Sequence, residues 1–239
     1  MSGAEGGLAF HGLGGELAED SALDDRRRAI AELGGALRDL VHLAVATEAP
    51  AEELRRVAAL AREVAAPLAA PARGRTEMPG ADDLRGGIRM YNPVTGTGSP
   101  LSPPLRIELV DGVAVGTCVL GLAFEGPPMF AHGGVSAMLL DQLLGYAASA
   151  SGRPGLTVSL VTRYRRPVPL QTPLRLTAVT TEFNERGVVA EGAIATAEDP
   201  DTALVEATAT FYSLRPEQAA RLFGAALHPD AQDPSAAHD

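Results

Sequence analysis

The chain has 239 residues, is 46% hydrophobic, and carries 30 acidic against 20 basic residues, a formal net charge of −10 that argues against general nucleic-acid binding. Every basic residue is arginine, which excludes Schiff-base chemistry and a Walker-type phosphate lysine, and the single cysteine, Cys118, leaves neither a disulfide nor a thiolate metal cluster. No uncharged apolar run of about 18 residues occurs, and the start MSGAEGG lacks the basic and apolar regions of a signal peptide, so a cytoplasmic protein with one substantial core and no membrane contact is expected.

In chain order, residues 1–20 are glycine-rich and are expected to be mobile. Helix signals begin at Ser21 to Asp25. Ile30, Leu33, Leu37, Leu40, Val41 and Val45 then recur at spacings of three and four, although Gly34-Gly35 interrupts the pattern with two poor helix formers. A second amphipathic helix is predicted from Pro50 to about Ala66, with Leu54, Val57, Leu60, Ala61 and Val64 on one face and Pro67 at its end. With the linker they make an N-terminal extension over residues 1–85, read as an accessory hairpin packed on the main domain or on a partner subunit, against the alternative of a separately functional unit. Between Pro67 and Pro104 the chain is rich in Pro, Gly and charge, and Gly86-Gly87 and NPVTGTGSP mark turns.

Strand patterns follow. Arg106 to Val110 and Val113 to Leu120 flank Asp111-Gly112, a strong hairpin signal. Further strands are predicted over Leu156 to Arg166, Leu174 to Phe183, Val188 to Thr196 and Ala203 to Leu214, with turns at Asn184 to Gly187 and Glu198 to Asp201. An apolar helix sits between the first hairpin and the rest. The predicted class is therefore α+β, a curved antiparallel sheet of about six strands wrapped around one central helix, with an N-terminal helical extension. The main domain is placed at 86–215 and a C-terminal tail at 216–239.

That central stretch, GPPMFAHGGVSAMLLDQLLG from Gly126 to Gly145, concentrates the chemistry. Two prolines stop regular structure, His132-Gly133-Gly134 allows a tight turn, and helical apolar spacing follows. The free N–H groups of Gly133 and Gly134 at a helix start form an anion site. Asp141 is the only acid between Glu125 and Glu182, and its neighbours Met138, Leu139, Leu140, Leu143 and Leu144 make an unpaired carboxylate expensive. From Gln142 to Thr181 no acid occurs, whereas Arg153, Arg163, Arg165, Arg166 and Arg175 do, which points either to phosphate recognition or to pairing with acids elsewhere in the fold. Strand alternation places Thr157, Ser159, Val161, Arg163 and Arg165 on one face and Leu156, Val158, Leu160 and Tyr164 on the other, so that the polar row faces a ligand or partner. His11, His42 and His228 show no metal-ligand spacing, and no metal is expected.

GPPMFAHGGVSAMLLDQLLG followed by LTVSLVTRYRRPVPL resembles the hotdog-fold acyl-CoA thioesterases, in particular those like the phenylacetate-degradation enzyme and its mitochondrial relatives, over roughly residues 86–214. The resemblance implies hydrolysis of a thioester, with Asp141 as general base or nucleophile, the Gly133 N–H as oxyanion donor, His132 shaping that loop, and Thr157 placing water or orienting Asp141. It implies an acyl-CoA substrate with no separate cofactor, and a homodimer or a homotetramer built as a dimer of dimers. Some relatives carry an Asn six residues before the His, where this chain has Gly126, so more falls on Thr157. Gly134, Gly126, Ser159, Arg163, Arg165 and Arg166 are the candidate substrate contacts. Two readings compete: a non-catalytic acyl-CoA-binding or regulatory hotdog module, and a hotdog dehydratase or hydratase. An α/β-hydrolase is excluded, because Gly134-Val135-Ser136-Ala137 is followed by Met138 and no GxSxG elbow forms.

Overall fold

A computed structural model describes residues 21–222 apart from Pro71, Thr76, Arg85, Pro104, Glu185, Arg186, Pro216 and Ala219. The segment 1–20, two residues of the turn expected at 184–187, and the tail beyond Leu222 lie outside the described residues.

Two helices open the fold, α1 (Ser21–Ala46) and α2 (Ala51–Ala69). The α1 helix runs straight through Gly34-Gly35, and the reason is a close approach. A Cβ on Gly34 would lie 2.5 Å from the Thr97 carbonyl oxygen and 2.7 Å from Gly98, so only glycine lets the 97–98 backbone rest on the helix. Arg38 fixes the contact by donating from Nη1 to the carbonyls of Thr97, at 2.7 Å, and Ser99, at 2.8 Å. The α2 helix passes its expected end at Ala66 and continues through Pro67 to Ala69. Proline there removes one hydrogen bond in a final turn that ends two residues later, so little helix remains to be disrupted.

The described residues then form one antiparallel sheet in the order β1-β2-β4-β5-β6-β3, from β1 (Arg106–Val110), β2 (Val113–Val119), β3 (Leu156–Tyr164), β4 (Pro173–Asn184), β5 (Gly187–Thr196) and β6 (Val205–Tyr212). The hairpin read at Asp111-Gly112 is present, with φ of 51° and 82° at the two turn residues, the left-handed pair that matches the twist of the flanking strands.

The central helix α3 (Gly133–Ala150) lies against β2, β3, β4, β5 and β6. Leu139, Leu140, Leu143, Leu144, Ala147 and Ala148 are buried, so two adjacent stripes of the helix face the sheet. Leu174, Leu176, Ala178, Val188, Ala190, Ile194, Val205, Ala207, Ala209 and Phe211 meet them from the strands and complete the core. The sheet is thereby a wrap around one apolar helix, as expected from an apolar segment set among hairpins. It holds Asp141 and the helix start at defined heights above β3, which is one edge of the sheet.

Candidate active site

The start of α3 is built from the loop that precedes it. His132 is the N-cap: its Nδ1 accepts the Gly134 N–H at 3.0 Å, and its carbonyl accepts Val135 N–H at 2.9 Å. With Gly134 committed to the imidazole, the Gly133 N–H is the first-turn amide that meets no acceptor among the described residues. Gly134 was expected to offer its N–H to a ligand; it offers it to His132 instead.

The loop is pinned on both sides. His132 N–H donates to the Phe124 carbonyl at 2.9 Å, in the 3-10 turn Leu122–Phe124, and Gly126 N–H donates to the Phe130 carbonyl at 2.9 Å. On the other side Ala131 N–H reaches the Val168 carbonyl at 2.8 Å, and Leu170 N–H reaches the Met129 carbonyl at 3.0 Å. The Pro-Val-Pro-Leu segment that follows β3 therefore props up the His-Gly-Gly loop. Gly126 is fixed by sterics, because a Cβ there would stand 2.7 Å from the His132 Cα. No side chain fits that place with the loop as it stands.

Asp141 lies two turns further along α3 and is half-buried. The hydroxyl of Thr157 donates to its Oδ1 at 2.9 Å. No cation pairs with it among the described residues. Beside it, Gln142 accepts at Oε1 from the Asn92 amide at 3.0 Å, which ties α3 to the loop that carries α1.

How Thr157 reaches Asp141 corrects the simple alternation expected for β3. The pairing with β6 slips between Thr157 and Ser159, which leaves Val158 as the extra residue of a β-bulge. Thr157 then stands opposite Phe211, Leu160 opposite Ala209, Thr162 opposite Ala207 and Tyr164 opposite Val205, all inward-facing positions of β6. Ser159, Val161 and Arg163 stand opposite Thr210, Thr208 and Glu206, on the outer face. Thr157 is thus separated from Ser159, Arg163 and Arg165, and joined instead to the row that faces the helix.

Those outer residues line a different feature. Arg163, Arg165, Val161, Glu191, Glu206 and Thr177 border an open groove of about 880 Å³ on the sheet face away from Asp141. Within it the Arg165 guanidinium pairs with the Glu206 carboxylate at 2.8 Å. Arg153 places its guanidinium 5.9 Å from the centre of the Phe183 ring. Arg166, just beyond β3, is exposed and has no acid partner among the described residues. Cys118 is buried and its thiol is pushed up to about 11, which suits a packing residue rather than a nucleophile. Among the described residues no group of three or more His, Cys, Asp or Glu side chains could hold a metal ion, and no helix is long and apolar enough to cross a membrane.

One contact escaped the sequence. Tyr164, at the end of β3, donates its hydroxyl to the Gly133 carbonyl at 2.9 Å. The signal was its place in the inward row, since a Tyr turned toward packed structure usually finds a partner for its hydroxyl.

These features agree with what the chain is similar to. The family model described as Thioesterase superfamily matches residues 130–203, which run from the His-Gly-Gly loop through β5. The crystal structure of protein RHA08564, a thioesterase superfamily protein, is 34% identical and superposes with a TM-score of 0.68 over 76% of this chain and 94% of that one. The mouse (Mus musculus) acyl-coenzyme A thioesterase THEM4 is 32% identical over 98 residues, 41% of this chain and 42% of that protein, so the match spans less than half the length of that relative. The segment matched by the family model includes Gly133 and Asp141, and the chain belongs to the thioesterase superfamily, whose hotdog architecture it has.

Proposed function

We propose that this protein hydrolyses the thioester of an acyl-CoA, or of a related acyl carrier, to the free acid and thiol, with Asp141 as general base or nucleophile and the Gly133 N–H as oxyanion donor. The observation that carries this reading is the state of Asp141. Structural carboxylates in apolar surroundings are paired or multiply hydrogen-bonded, whereas Asp141 has one hydroxyl donor and no cation among the described residues. Half-buried, it keeps one oxygen on the Thr157 hydroxyl and leaves the other to water or substrate.

The chemistry needs a group that attacks or activates water, and a donor where negative charge develops on the carbonyl oxygen. Asp141 meets the first need, with Thr157 holding its Oδ1 so that the other oxygen faces water or the thioester carbon. The Gly133 N–H meets the second, aided by the positive end of α3. Both reside on one helix, eight residues apart, which at about 1.5 Å per residue separates them by roughly 12 Å. One carbonyl group cannot touch both. The two groups therefore serve one site only if they come from two chains, and a two-fold homodimer supplies each site with the loop of one protomer and the acid of the other. The position of β3 supports this, since an edge strand carrying Thr157 also exposes Leu156, Val158 and Val161. The resident groups need no metal or cofactor for this reaction, and coenzyme A enters as part of the substrate. The relative named an acyl-coenzyme A thioesterase supports the choice of substrate class.

The test is release of free thiol from a panel of acetyl-, medium-chain, long-chain and aryl-CoA thioesters, by wild type and by Asp141→Asn. The variant keeps size and hydrogen bonding but loses basicity, so turnover is expected to fall about 10²- to 10⁴-fold with binding retained. Tight binding of acyl-CoA by the wild type without thiol release would instead establish a binding module.

A further inference from the structure

We infer that Tyr164 is a positioning residue for the oxyanion donor: its hydroxyl locks the Gly133-Gly134 peptide and so sets the direction of the neighbouring Gly133 N–H. The inference rests on the thioesterase reading above and extends it to a residue outside the reacting pair.

Two adjacent glycines at a helix start have more backbone freedom than any other pair, and a donor mounted on them is poorly aimed unless something else holds it. The peptide unit between Gly133 and Gly134 is held at both ends. Its N–H, on Gly134, donates to His132 Nδ1 at 3.0 Å, and its C=O, on Gly133, accepts the Tyr164 hydroxyl at 2.9 Å. With that plane fixed, the preceding peptide has only the Gly133 dihedrals left to vary. The amide it carries, Gly133 N–H, is the one without an acceptor among the described residues.

The ring itself crowds position 133. Gly133 does not lie in the left-handed region, so its conformation alone would accept other residues. A Cβ at that position would, however, sit 3.3 Å from Tyr164 Cε1, 3.4 Å from Cζ and 3.5 Å from the hydroxyl oxygen. The hydrogen bond and the glycine are therefore two halves of one arrangement, since a side chain at 133 would push back the ring whose hydroxyl reaches the carbonyl beneath it. Tyr164 gets there because the bulge at Val158 sets the inward row of β3, which brings Thr157 to Asp141 and Tyr164 to Gly133 from the same strand. One strand thus holds both the acid and the donor loop of its own protomer.

Tyr164→Phe tests this, because it deletes the hydroxyl and keeps the ring. The full-length variant is compared with wild type by thiol-release kinetics and by amide spectra of protein labelled with ¹⁵N-glycine. The expected result is a kcat lower by roughly fivefold, the worth of one neutral hydrogen bond, with KM within twofold, and shifted Gly133 and Gly134 amide resonances. A merely structural tyrosine would lower the melting temperature while leaving the kcat of the folded enzyme unchanged. Gly133→Ala keeps the N–H but crowds the ring, so it should reproduce the loss, and the double variant Gly133→Ala/Tyr164→Phe should lose no more than the worse single one. Unshifted glycine resonances, wild-type kcat in Tyr164→Phe, or losses that multiply in the double variant would each overturn the inference. A wild type inert toward every thioester would bring down the thioesterase reading instead, and the glycine resonances would still decide whether the hydroxyl holds the peptide.

Discussion

Replacing Thr157 by Val isolates the contact that orients Asp141. The substitution preserves the β-branched shape that suits β3 and removes only the hydroxyl, which donates to Asp141 Oδ1 at 2.9 Å. A hydrogen bond to an ionised group is worth about 1.5–3 kcal/mol, and because Thr157 is exposed and Asp141 only half-buried, water can partly substitute, so about 1.5 kcal/mol is the appropriate end of that range. At 1.36 kcal/mol per factor of ten, kcat should fall roughly tenfold. The loss belongs in kcat rather than KM, since the hydroxyl acts on the reacting group and not on the carrier portion of the substrate. Stability should fall by no more than about the same 1.5 kcal/mol, because the bond is already made in the folded enzyme and water partly replaces it. The measurement is steady-state thiol release with one good acyl-CoA, beside a thermal melt of the same preparation. A Thr157→Val enzyme with kcat within twofold of wild type would refute the reasoning, since the hydrogen bond would then contribute nothing to the orientation of the acid.

Three further outcomes are expected. Denaturing and co-refolding the inactive variants Asp141→Ala and Gly133→Pro should restore about a quarter of wild-type activity, because a mixed two-fold dimer has one site with both lesions and one with neither; fully exchanged mixtures that stay dead would rule out a site shared between chains. Arg166→Ala should raise KM for acyl-CoA but not for a short thioester lacking the nucleotide. Arg166 is the member of the Arg163, Arg165 and Arg166 group that neither borders the outer groove nor pairs with an acid among the described residues, so equal effects on both substrates would assign it to structure. Gly126→Asn places a Cβ 2.7 Å from the His132 Cα, so the loop must shift at a cost of about 1–3 kcal/mol, read as a melting temperature lower by roughly 2–12 °C; an unchanged melt would mean the loop yields freely.

The order of helices and strands was legible because each has a local cause. Apolar spacing marks α1 and α3, Asp111-Gly112 marks the first hairpin, and alternation marks the later strands. Pairing partners were not legible, since β3 leaves its sequence neighbours to join β6 across the sheet. The site divides in the same way. Asp141 and the His-Gly-Gly turn stand out by residue type, an acid in an apolar helix and glycines at its start. The face of Thr157 could not be read, because the bulge at Val158 is a property of the pairing with β6 rather than of the strand's own residues. The partner of Arg165 was hidden for a related reason: it is far in sequence from any acid, yet β6 brings Glu206 alongside it. Gly34 is the converse case. Read alone it weakens a helix, and only the approach of Thr97 and Gly98 shows why a helix keeps it.

That last contact bears on how the two halves of the site are held. The α1 helix packs on the 3-10 turn Leu122–Phe124, with the His42 ring against Gly121, and the Phe124 carbonyl of that turn holds the N–H of His132. The same helix grips Thr97 and Ser99 through Arg38, and this loop, through Asn92, holds Gln142 next to Asp141. The N-terminal extension thereby touches one support of the donor loop and, through the Asn92 loop, the helix that carries the acid. Gly34 and Arg38 lie on α1, and Asn92, Thr97 and Ser99 on the loop that follows the extension, so the segment outside the sheet and the segment inside it are joined by backbone contacts that tolerate no added side chain at Gly34. A helix attached only as an appendage would need no such fit, and α2, none of whose residues is fully buried, shows what that looks like in the same chain.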